Sequence, residues 1–123
     1  MTRLLSHADQ VIANNQLAQH LEILHVAFVL GHVSRQWFIT LLFYESVHWV
    51  EDQLQQKKYP PSFDHRTRKK RLRQVWFSHK TAIRAYLLLE HFSRQARYDG
   101  WIPTDQDLLD AQAYLQHVKT FII

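Results

Sequence analysis

The chain has 123 residues, 46% of them hydrophobic, with fifteen Lys and Arg against eleven Asp and Glu and a net charge of +4. That is the size of one domain with its own core, so residues 1–123 are read as a single domain whose mild basicity suits a nucleic-acid or nucleotide partner. The absence of Cys excludes disulfides, zinc–thiolate sites and thiol catalysis, and only two Gly and three Pro argue for long helices with few turns.

The apolar residues keep a helical period along nearly the whole chain. The first predicted helix runs from about Ser6 to Leu30, with Leu17, Leu21, Leu24 and Phe28 on one stripe, Asn14-Asn15 as an early break and Gly31 as its stop. No N-terminal stretch has the layout of a signal peptide. The longest apolar run, "ILHVAFVLGHV", is interrupted by His25 and His32 and is too short to span a bilayer. A soluble cytoplasmic protein is expected.

Ser34 is placed to cap a second helix over 35–56. Trp37, Leu41, Tyr44 and His48 share one of its faces, and Phe38, Leu42 and Trp49 lie beside them. A segment this apolar on all sides predicts the central helix. Next comes "KKYPPSFDHRTRKKRLRQ", whose Pro60-Pro61 cannot lie inside a helix. Asp64 predicts the N-cap of a third helix over 65–77, and Ser78 that of a fourth over 79–97 that ends at Asp99-Gly100. The last helix begins at Pro103-Thr104. Thr104 and Asp107 have capping-box spacing, and Leu108, Ala111, Leu115 and Val118 face inward. These elements predict an all-α, four- to five-helix up-and-down bundle.

Several constellations can carry chemistry. Eight of the fifteen Lys and Arg residues fall between Lys57 and Arg73. Arg66, Arg68, Lys69, Lys70, Arg71 and Arg73 would contact the phosphates of a nucleic acid, although a solvated helix face explains such a run as well. Glu22-x-x-His25 and Glu45-x-x-His48 repeat the pair that binds metals in di-iron bundles. With only Glu51 and Glu90 left as further Glu ligands, the set is short for two metals, and no cofactor or metal is expected. Tyr44 and His48, one turn apart, share a face. Arg94 and Arg97 share another at the end of the fourth helix, where the macrodipole favours cations in any case. Arg73-x5-His79 and Arg84-x6-His91 recur no more often than chance allows. No Gly-rich phosphate loop, HExxH or nucleophile elbow is present.

The order "WFITLLFYESVHWVEDQL", then "FDHRTR" after a proline-bearing loop, then "AYLLLEHFSRQARYDG" and a final amphipathic helix resembles the HEPN superfamily of prokaryotic helical bundles, and within it the small stand-alone proteins. The likeness covers roughly residues 20 to 120. It matches Tyr44 and His48 to a Phe/Tyr-Tyr-Ala-x-x-His motif, His65 and Arg68 to Ser-His-x-x-Arg, and Arg94, Arg97 and Tyr98 to Ser-Arg-x-Ala-Arg-Tyr. Asp64 and Glu45 depart from it, standing where the pattern has Ser and Ala. The resemblance implies a domain that binds RNA or a nucleotide, and for many relatives metal-independent RNA cleavage in toxin–antitoxin or defence systems. His48 and His65 would then be the acid and base, Arg94 and Arg97 would stabilise the phosphate, and Tyr44 and Tyr98 would orient a histidine or stack on a base. It also implies a homodimer. Other relatives are non-catalytic and bind a partner such as an antitoxin or a nucleotidyltransferase. A metal-binding bundle built on the two Glu–His pairs is the third alternative.

Overall fold

The computed structural model describes residues 32–123. The first predicted helix, with Glu22, His25 and Gly31, lies outside the described residues. Four helices follow: α1 His32–Gln56, α2 His65–Val75, α3 Lys80–Tyr98 and α4 Asp105–Phe121. All regular structure among the described residues is helical, as the composition predicts, and none of these helices is long and apolar enough to cross a membrane.

α1 is the central helix because it has apolar residues on every side. Phe38, Ile39, Leu42, Phe43, Val50 and Leu54 are all buried. Its described part begins at His32, so Ser34 lies inside the helix and not at the predicted cap position. α3 buries Ala82, Ala85, Tyr86 and Leu89, and α4 buries the predicted stripe Leu108, Ala111, Leu115 and Val118. These two helices pack on α1 and on each other.

Side-chain bonds define the helix directions. At the start of α1, Arg35 pairs with Asp105 and Gln36 Nε2 donates to the Trp101 carbonyl at 2.9 Å. Further along, Lys119 reaches Glu45 at 2.9 Å and the Trp49 indole donates to the Ile122 carbonyl at 2.7 Å. α1 and α4 therefore run parallel, with α3 antiparallel to both. The short α2 packs near the C-terminal end of α1.

The helix ends follow local chemistry. The Asp64 side chain accepts from the Thr67 amide and caps α2, as predicted. Thr104 and Asp107 form the predicted capping box of α4. Ser78 does not cap α3: His79 holds the N-cap position and makes no side-chain cap bond. α1 ends in a Schellman turn, with the Tyr59 amide donating to the Leu54 carbonyl and the Lys58 amide to that of Gln55, each at 3.0 Å. The left-handed position of that turn is held by Lys58, with φ 72°. Gly100, with φ 66°, occupies the corresponding conformation after α3.

Candidate phosphate-binding site

The site lies where α1, α2 and α3 meet, and it is organised around a buried ion pair. Arg68 Nε donates to Glu51 Oε1 at 2.8 Å, and both side chains are more than nine-tenths buried. The other oxygen of Glu51 accepts from the Ser62 amide at 3.1 Å. Arg68 Nη2 donates back to the Ser62 carbonyl at 3.4 Å, and Nη1 meets His65 Nδ1 at 2.8 Å. The proline-bearing loop is thus tied to α1 and α2 by one carboxylate and one guanidinium. Arg71 adds donations to the Pro60 carbonyl at 2.6 Å and to Ser62 Oγ at 3.0 Å.

A guanidinium only donates, so Nδ1 of His65 must be the accepting nitrogen. The ring is then neutral with its proton on Nε2. Burial lowers the His65 pKa, and the Arg68 charge lowers it further, against the opposing pull of Glu90. Arg94 and Arg97 act in the same direction as Arg68. The ring also packs against Phe43, 5.7 Å between centroids.

The end of α3 supplies the other wall. Arg97 Nη1 donates to the Tyr44 hydroxyl at 3.0 Å. Its guanidinium lies over the rings of Tyr44 and Tyr98, at 5.6 and 5.1 Å from their centroids. Arg94 and Tyr98 are exposed. Arg97 thus meets Tyr44 and Tyr98, Phe43 packs against both Tyr44 and His65, and Arg94 lies one turn before Arg97 on α3. His48 is half-buried on the same side of α1, one turn after Tyr44 and one turn before Glu51.

The basic stretch divides by helical period. Arg68 is inward in the ion pair, Lys69 reaches Glu90 at 2.9 Å, and Arg71 holds the loop. Arg66, Lys70 and Arg73, spaced i, i+4 and i+7, form an exposed stripe on the opposite face of α2. Three of the six predicted phosphate contacts thus face solvent, while the other three are engaged within the protein. Glu45 is buried and pairs with Lys119 on α4. Among the described residues no group of three or more His, Asp or Glu side chains is arranged to hold a metal ion.

Sequence reasoning missed the polar face of α3. Tyr86, Glu90, Ser93 and Arg97 recur at i, i+4, i+7 and i+11, a legible pattern of polar residues along an inward face. Glu90 Oε2 and Ser93 Oγ are buried without a hydrogen-bond partner among the described residues. Burial pushes the Tyr86 pKa up to about 12 against the pull of Arg68, so the phenol stays protonated.

No protein-family model, curated protein or solved structure matches this chain.

Proposed function

We propose that the chain is a HEPN-like RNA- or nucleotide-binding domain, holding a phosphate among Arg94, Arg97 and the Nε2–H of His65. The observation that carries this reading is the run of contacts from Arg97 through Tyr44 and Phe43 to His65, whose Nδ1 accepts from Arg68 and leaves Nε2 as a donor, with Arg94 one turn before Arg97. Arg68, Lys69, Arg94 and Arg97 outnumber Glu51 and Glu90, which favours an anion there. Tyr98, exposed beside Arg97, offers a ring on which a base can stack.

Binding is better supported than cleavage. A general base needs a free lone pair, and the one His65 possesses accepts from Arg68. Metal-independent cleavage by His65 would require that bond to open first.

The test uses labelled mixed-sequence RNA in excess EDTA, followed by fluorescence anisotropy and by gel. Wild type is compared with the Arg94→Ala, Arg97→Ala double variant, with folding checked by circular dichroism. Salt-sensitive binding lost in the folded double variant supports the reading. Equal binding by both proteins refutes this site, and cleavage products on the gel would extend its role to catalysis. A second reading, partner binding, draws on the exposed Phe63 and Phe77 at the two ends of α2, 93% and 71% accessible. Light scattering of the purified protein tests the self-association it includes.

A further inference from the structure

A second recess lies between the first half of α3 and the second half of α4. Ala85 and Ala113 leave the helix seam short of side-chain bulk, and a cavity of about 380 Å³ opens between Thr81, Arg84 and Leu88 on one side and Tyr114 and His117 on the other. A smaller cavity of about 200 Å³ adjoins it through Thr81 and His117 and continues past Lys80. The seam combines an apolar floor, two ring side chains and a cationic rim. No carboxylate lines either cavity. Asp110, one turn before Tyr114, takes a hydrogen bond from Gln106 instead. Arg84 and Lys80 are exposed and have no ion pair among the described residues.

We infer that this recess is a subsite for one unpaired base of a single RNA strand whose phosphate is held at the Arg94–Arg97 end of α3. The inference rests on the RNA reading proposed above. A base has the flat π-surface that Tyr114, His117 and the Arg84 guanidinium can stack against, and its own phosphate would meet Arg84 and Lys80. The two places are joined along one helix side. Lys80, Arg84, His91, Arg94 and Tyr98 all fall on that side of α3 and all are exposed.

Length agrees with this path. Arg84 and Arg94 are ten residues apart, which is about 15 Å along the helix axis. A stacked strand advances about 3.4 Å per nucleotide, so four to five nucleotides bridge the two places. The subsite selects single strands because its apolar floor is recessed between two helices. A paired base cannot enter, whereas an unpaired one can be turned out and stacked.

The experiment measures binding of three labelled RNAs: a trinucleotide, a single strand of about twelve nucleotides and a duplex of the same length. Ala113→Trp fills the recess from an exposed position on α4, and Arg84→Glu reverses the charge at its rim. Each variant must match wild type in its circular dichroism melt. Ala113→Trp is expected to weaken the twelve-nucleotide strand about tenfold or more, the loss of one stacked base, with trinucleotide and duplex binding unchanged. Should Ala113→Trp not fold, the same pattern in Arg84→Glu decides. Unchanged binding of the long strand by a folded variant, or an equal loss for the trinucleotide, overturns the subsite and leaves the Arg94–Arg97 reading intact. A wild-type protein that binds none of the three RNAs overturns both.

Discussion

Arg68 Nη1 lies 2.8 Å from His65 Nδ1, one helical turn away on α2, and this contact sets both the tautomer and the charge of the histidine. The prediction is a neutral Nε2–H imidazole at pH 7 that titrates below the usual 6.5. Long-range proton–nitrogen correlation spectra would show it directly. The double variant Arg94→Ala, Arg97→Ala should raise the midpoint, since both cations depress it. The stability consequence has a definite sign. Below pH 6.5 the unfolded chain takes up the proton before the folded one does, so this group makes stability fall as pH drops through that range. A wild-type midpoint at or above 6.5 would contradict the arrangement.

The Arg68–Glu51 pair predicts a sharp difference between neighbouring arginines. Arg68→Ala leaves the buried Glu51 side chain without its main partner, and urea denaturation should show a loss of about 3–5 kcal/mol. Arg66→Ala, Lys70→Ala and Arg73→Ala remove exposed side chains, and each should stay within about 0.5 kcal/mol of wild type. Under the proposed RNA-binding function the order reverses. Each exposed cation that contacts a phosphate should lower the salt slope by about one unit when removed.

Two residues hold the same left-handed backbone with opposite suitability. Lys58 bears the steric penalty of its Cβ at φ 72°, and Gly100 at φ 66° does not. Lys58→Gly should raise stability by about 1 kcal/mol, and Gly100→Ala should lower it by a similar amount, since the left-handed conformation costs a non-glycine residue about 1–2 kcal/mol. Nothing lies within 4 Å of a Cβ built on Gly100, so the Ala penalty there is one of backbone conformation alone. Thermal melts of the two variants beside wild type would test the pair together.

Glu45 supplies a second pH dependence. Burial raises its pKa above 4.5, and the hydrogen bond and charge of Lys119 only partly offset that effect. The stability this group contributes is full below about pH 4.5 and is lost as pH rises through its folded pKa. The difference in stability between wild type and Glu45→Gln, measured from acid to neutral pH, should therefore change steadily in the variant's favour as pH rises. Parallel curves would show that Glu45 titrates normally.

What could be read from the sequence was what is local. The Asp64 cap and the Thr104–Asp107 box connect residues three apart, and both formed where spacing predicted. The inward stripe of α4 and the all-round burial of α1 were equally legible, because the first repeats with the helical period and the second is apolar on every side, although Trp37, placed on the apolar face, is 52% exposed. Partners distant in sequence were not. Arg68 meets Glu51 across 17 residues, and Lys119 meets Glu45 across 74. Charge alone made Arg68, Lys69 and Arg71 look like surface cations, because composition does not record which side of a helix a residue occupies. The α3 start was misplaced for a related reason. Ser78 is a good capping residue by type, but the chain begins its helical turn one residue later, at a histidine that makes no cap bond.

The two faces of α2 also bear on how such a protein changes over generations. Its inner side holds the loop and the central helix, so a substitution there endangers the whole molecule. Its outer side carries Arg66, Lys70 and Arg73, which no folded contact requires among the described residues. Selection can therefore rewrite the outward charges one position at a time and adjust what the surface attracts, without passing through an ancestor that fails to fold.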